Sequence, residues 1–138
     1  PDTGYRTAPS PMNSQEIEIY FARADGLFLY DPFFHQVVRL STEDIRPYCG
    51  TQKFVSQAPL NLIYVADLSR LGDRSDEKKM FYAAADTGFI SQNVYLFCAA
   101  FGLGTVVRSW IDRTALADKI KLREDQRIIL AQTVGYPG

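Results

Sequence analysis

From position 16 the chain alternates, Glu16-Ile17-Glu18-Ile19-Tyr20-Phe21. That period of two predicts a strand with Ile17 and Ile19 on one sheet face and the glutamates on the other. Asp25-Gly26 supplies a turn, residues 27–30 resume extended structure, Asp31-Pro32 turns again, and residues 37–40 make a third short run, so this stretch reads as a meander. Ser41-Thr42-Glu43-Asp44 has the polar start and early acidic residues of a helix N-terminus, leading through Ile45 and Tyr48 until Gly50 stops it. Residues 60–66, Leu-Asn-Leu-Ile-Tyr-Val-Ala, are largely apolar and too few for an ordinary helix; they predict a central strand covered on both faces.

Residues 69–79 are charged and contain Gly72, which predicts a solvated loop with a possible helix cap at Ser75. The longest periodic stretch, residues 81–101, is expected to be the core helix. Small Ala83, Ala84, Ala85 and Gly88 permit close packing there, and Phe89, Tyr95, Leu96 and Phe97 supply bulk. Asp86, Gln92 and Asn93 interrupt it before the roughly 18 uninterrupted apolar residues of a membrane span. Gln92-Asn93 reads either as ordinary packing or capping contacts or as a polar contact to a cofactor or partner. Gly102-Leu103-Gly104 closes the helix, and because it follows a helix rather than a strand it is no dinucleotide fingerprint. A strand is expected over 105–107, a short helix capped by Asp112 through Ile120, and a last strand over 126–134.

Composition narrows the function classes. The 138 residues suit one domain that buries about two-thirds of its unfolded surface without a disulfide or metal staple. Net charge is -1 and pI about 5.8, with no cluster of Lys or Arg, so neither nucleic acid nor an anionic membrane surface is an expected partner. Cys49 and Cys98 stand in segments that read as helical, show no metal-ligand spacing, and are expected to be free thiols in a reducing, cytoplasmic compartment. One histidine, His35, in an expected surface turn, and no nucleophile elbow, zinc motif or phosphate loop leave little for protein-borne covalent or metal catalysis. The chain opens on Pro1-Asp2-Thr3-Gly4 with nothing resembling a signal peptide, and an N-terminally incomplete single domain is expected.

Residues 6–15, Arg-Thr-Ala-Pro-Ser-Pro-Met-Asn-Ser-Gln, are a shaped loop, since Pro9 and Pro11 lack amide protons and push their predecessors out of helical conformation. Taken alone, that loop is equally a proline-ordered lead-in to a strand. Its Pro9-Ser10-x-x-Asn13-x-Gln15 pattern, however, resembles the flavin-facing loop of the FMN-dependent nitroreductase family. Later stretches resemble the same family in the same order: Asp86-Thr87-Gly88-Phe89-Ile90-Ser91-Gln92-Asn93, Phe101-Gly102-Leu103-Gly104-Thr105, Ile111-Asp112, Leu122 and Val134-Gly135-Tyr136-Pro137. The similarity spans nearly the whole chain and points to the branch related to SagB-type oxidoreductases.

The resemblance implies an α+β fold, a mainly antiparallel sheet flanked by helices, forming a homodimer with FMN between subunits. NADH or NADPH would reduce the flavin, and a small-molecule acceptor such as a nitroaromatic or quinone would take the electrons, the protein supplying position and hydrogen bonds. Alternatives are a SagB-like dehydrogenase of a peptide heterocycle and a non-catalytic dimerisation domain. By resemblance, Ser10 and Asn13 bond the flavin, Pro9 shapes and Gln15 supports the loop, and Arg6 is its one basic residue. Backbone amides around Val107, Arg108, Ser109 and Trp110 would face the flavin's N5 edge. Arg108 as a plain surface charge and Trp110 as a packing residue stay open beside that. Three departures stand out. Gln15 is followed by Glu16-Ile17 instead of Pro-Trp, the small residues usual after the Gly-Leu-Gly-Thr turn are replaced by Val107-Arg108-Ser109-Trp110, and the family's arginine-rich phosphate-binding N-terminal segment has no counterpart in these residues. The 138 residues alone are therefore expected to hold FMN poorly.

Overall fold

In the computed structural model, Ala8 and residues 14–137 are described; Arg6, Pro9, Ser10 and Asn13 lie outside them. Six strands form one sheet: β1 (Ile17–Arg23), β2 (Gly26–Asp31), β3 (Gln36–Ser41), β4 (Leu60–Asp67), β5 (Gly104–Arg108) and β6 (Gln126–Gly135), in the order β3-β2-β1-β4-β6-β5. Every neighbouring pair is antiparallel. Helices α1 (Asp76–Phe101) and α2 (Arg113–Ile120) pack on it.

The alternation of β1 splits its side chains between two cores. Ile17, Leu62, Tyr64, Ala66 and Ile129 meet Leu68, Leu71 and Ala83, with Ile90 and Val94 of α1 against them. On the opposite face Tyr20, Ala22, Leu27, Ile63, Val65 and Ile128 meet Ile45, Cys49, Val55, Leu116 and Ile120. Strand β4 is buried along almost its whole length, as its apolar run requires. The glutamate face of β1 is covered too: Glu16 is fully buried, and Glu18 Oε1 accepts a hydrogen bond from Gln126 Nε2 at 3.0 Å.

Two expectations need correction. The segment after Ser41 forms two short 3-10 turns, Arg46–Tyr48 and Lys53–Gln57, rather than one helix. Pro47 removes an amide and clashes with the preceding turn, so a regular helix is not sustained. Ile45 and Val55 still reach the core, and burial of each contributes about 1.5 to 3 kcal/mol. Helix α1 starts at Asp76, five residues before the apolar pattern, because the Ser75 side chain accepts from Lys78 N–H and Asp76 and Glu77 complement the helix dipole. It ends on Gly102 at φ 70°, a left-handed cap that glycine adopts without strain.

The inward face of α1 is small and partly polar, with Ala83, Asp86, Thr87, Ser91 and Cys98 buried. Its bulk points the other way: Phe81, Phe89, Leu96, Phe97 and Phe101 are exposed, and the rings of Phe97 and Phe101 stack with centroids 4.5 Å apart. The helix is thus a core helix on one side only.

Candidate functional site

Strand β5 stops at Arg108, opposite Ala131, while β6 runs on beside the turn that follows. Ile128 and Ile129 thus lie beyond the pairing with β5, where β6 shifts register against Tyr64 and Val65 of β4. Arg113, the first residue of α2, supplies the donors: its Nε bonds Ile128 O at 3.2 Å and Nη2 bonds Ile129 O at 2.7 Å, while Nη1 bonds Ser109 O at 3.2 Å. The turn is held from the far side as well, since Ile111 N donates to Ser109 O at 2.9 Å and Thr51 N donates to Trp110 O at 3.2 Å. Asp112 caps α2 by accepting from Ala115 N at 3.1 Å.

Within this frame the four stretch residues have different fates. The Val107 amide donates to the Tyr95 hydroxyl at 2.8 Å, which ties β5 to α1 and removes that amide from those available to a ligand. Ser109 and Trp110 are exposed, Trp110 at 71%. Among the described residues no backbone carbonyl takes the amide N–H of either. The Trp110 side chain thus packs little against the described residues of its own chain.

Arg108 is not a surface charge: it is 5% exposed. Its Nε donates to Thr133 Oγ1 at 2.7 Å, Nη1 to the Cys49 carbonyl at 2.9 Å and Nη2 to Asn61 Oδ1 at 3.1 Å. Thr133 Oγ1 donates in turn to Asn61 Oδ1 at 2.7 Å, and Asn61 Nδ2 to Val55 O at 2.8 Å. Space around the guanidinium is tight, for a Cβ on Gly50 would stand 2.2 Å from Nη1. Burial pulls the Arg108 pKa below the usual arginine value. Desolvation also pushes the neighbouring Cys49 thiol up to about 12, with Arg108 opposing that rise.

Gln15 sits elsewhere. It has a left-handed backbone at φ 51°, and its carbonyl accepts from Arg70 Nη1 at 3.0 Å, beside the last residues of β4. Strands β4 and β6 separate β1 from β5. With strands about 4.8 Å apart, Gln15 and the 107–110 turn lie on the order of 14 Å apart across the sheet within one chain. The structure thus gathers Val107, Arg108, Ser109 and Trp110 with Tyr95, Asn61, Thr133, Gly50 and Arg113, and leaves Gln15 apart. A weak signal existed for Asn61, a polar residue inside a run otherwise read as apolar, but none for Thr133, which follows Gln132 in a strand of mixed polarity. Nothing local marked Gly50 or Tyr95. Gln92 and Asn93 are exposed on α1, so they are not internal packing contacts.

Comparison with known proteins places this arrangement. Residues 3–136 match the family model described as the Nitroreductase family. MJ1384 of Methanocaldococcus jannaschii, which carries a nitroreductase name, is 28% identical over 133 residues, covering 89% of this chain and 67% of that protein. A crystal structure from Ralstonia eutropha JMP134, also of a nitroreductase-named protein, superposes with a TM-score of 0.92 at 40% identity, over 100% of this chain and 66% of the other. The chain thus spans about two-thirds of the length of both. The NADPH:FMN oxidoreductase of Vibrio harveyi, solved with NAD+, shares the fold at TM-score 0.70 and 17% identity, over 99% of this chain and 56% of that one.

Proposed function

The chain belongs to the nitroreductase family, and from that membership we propose that it is the greater part of an FMN-dependent oxidoreductase acting as a homodimer. The observation that carries this reading is the turn after β5: two amides, of Ser109 and Trp110, without a backbone acceptor, beside an exposed indole on a rigidly braced backbone. Those groups fit the polar edge and flat face of a flavin ring, because amides there donate to its ring atoms while the indole covers apolar surface. When bound, FMN would carry electrons from NADH or NADPH to a small oxidised acceptor of nitroaromatic or quinone type.

The remaining parts are supplied by the chain. The loop residues Pro9, Ser10 and Asn13 would bond or shape the ring's other side, Gln15 would support the loop, and Arg6 would offer a cation toward the phosphate. Since Gln15 and the 107–110 turn stand three strands apart in one chain, a site using both is completed by a second copy, as in the shared-site arrangement. The outward aromatic face of α1 is the surface that such a copy would cover.

Titrating purified protein with FMN, followed by flavin fluorescence, tests the reading. Weak but saturable binding and oxidation of NADH or NADPH that depends on added FMN are expected, and protein that takes up no flavin even at high FMN concentration overturns it. Replacing Ser10 and Asn13 together by alanine should weaken FMN binding by about one to two powers of ten, two hydrogen bonds each contributing about 0.5 to 1.5 kcal/mol.

A further inference from the structure

Arg108 carries a charge that nothing among the described residues balances. Its three acceptors, Thr133 Oγ1, the Cys49 carbonyl and Asn61 Oδ1, are all neutral. None of the ion pairs formed among the described residues includes it. Burying an unpaired charge costs far more than burying a neutral side chain of similar length, and an arginine cannot shed its proton to escape that cost. Joining β4, β5, β6 and the Cys49 turn by hydrogen bonds does not itself require a cation.

Resting on the flavin reading above, we propose that the Arg108 guanidinium is a positioning residue acting electrostatically, a buried uncompensated cation next to the Ser109 and Trp110 amides that favours the reduced, negatively charged form of the bound ring. The balance is simple. The nicotinamide gives up a hydride, two electrons and one proton, and leaves oxidised, and the hydride's negative charge stays with the ring. A cation held in a low-dielectric interior acts on such a charge with little screening. Among the described residues Arg108 pairs with no anion, and the reduced ring would supply one.

Three variants of the FMN-loaded protein separate charge from joinery. Arg108→Lys keeps the charge and loses the fork, Arg108→Gln loses both, and Asn61→Asp leaves Arg108 in place and sets a carboxylate where the 3.1 Å acceptor now lies. The midpoint potential of bound flavin, measured by equilibration with reference dyes, is expected to fall in Arg108→Gln and in Asn61→Asp and to hold in Arg108→Lys. The expected size is a tenfold or greater loss in relative affinity for reduced over oxidised flavin, about 30 mV for a two-electron couple. Melting curves of the flavin-free proteins report the joinery separately, including the Asn61 bond to Val55 that the aspartate loses. Should Arg108→Gln fail to fold, Asn61→Asp decides alone. Flavin bound at the wild-type potential in Asn61→Asp overturns the inference and leaves the flavin reading intact, whereas a wild-type protein that binds no flavin overturns both.

Discussion

Gly50 shows how one missing methyl group is tied to a distant cation. A Cβ there would stand 2.2 Å from Arg108 Nη1 and 3.1 Å from a Val55 methyl. An exposed arginine would swing away at little cost, but this one is fixed by three hydrogen bonds and would have to release the Cys49 carbonyl. Gly50→Ala should therefore destabilise the fold by about 1 to 3 kcal/mol, the usual range for overpacking. Urea denaturation measures it, and in a double-mutant cycle with Arg108→Gln the two losses should fall well short of additive, because they share one contact. Cys49 sets a second residue-scale expectation. Its thiol, raised from 9.0 to about 12 by burial, stays protonated in the folded protein while the unfolded chain ionises. Its contribution is whole below pH 9 and is lost as pH rises toward 12, with a slope of up to about 1.4 kcal/mol per pH unit. Cys49→Ala should flatten that alkaline loss in urea titrations at stepped pH, and an unchanged slope would show that the thiol is not buried as described.

Among the elements, α1 and β5 are joined near the proposed site by the Val107 amide on the Tyr95 hydroxyl at 2.8 Å. Tyr95→Phe keeps the ring packed and strands that amide in a half-buried place. Leaving such a donor unsatisfied costs about 1 to 3 kcal/mol. The expected result is that loss of stability together with faster hydrogen exchange at Val107, and exchange that stays slow would mean another acceptor takes over. The 3-10 turns between β3 and β4 make a related point. Their backbone satisfies few of its own hydrogen bonds, so their place depends on Ile45 and Val55 in the core and on Arg46, whose Nη1 reaches the Ala58 carbonyl at 3.0 Å.

At the scale of the molecule, the large side chains of α1 present an apolar surface away from the sheet. Phe81 is 69% exposed and Phe101 68%, with Leu96 and Phe97 between them. A soluble surface rarely carries so many neighbouring aromatics without a partner. The proposed partner is a second copy, and Leu96→Asp with Phe97→Asp should convert dimer to monomer in sedimentation while leaving helical circular dichroism in place, because neither side chain faces the sheet. Wild-type protein that sediments as a monomer would remove the shared site. No helix among the described residues is long and apolar enough to cross a membrane.

Local pattern was enough for much of this. The alternation from Glu16, the apolar run at 60–66, the Ser75, Gly102 and Asp112 caps and the ordered motifs of the nitroreductase family were legible because strand period, helix period and capping are set by residues a few positions apart. The tertiary structure decided the rest. Arg108 reads in sequence as a charge at the end of a short strand, yet its acceptors come from residues 25, 47 and 59 positions away, and only their convergence buries it. Periodicity announced α1 but not its orientation, since apolar residues stand on both sides and the sheet accepts the smaller, partly polar one. Which side of a helix meets a sheet is a matter of fit between surfaces, and a linear chain does not encode that fit in any one stretch.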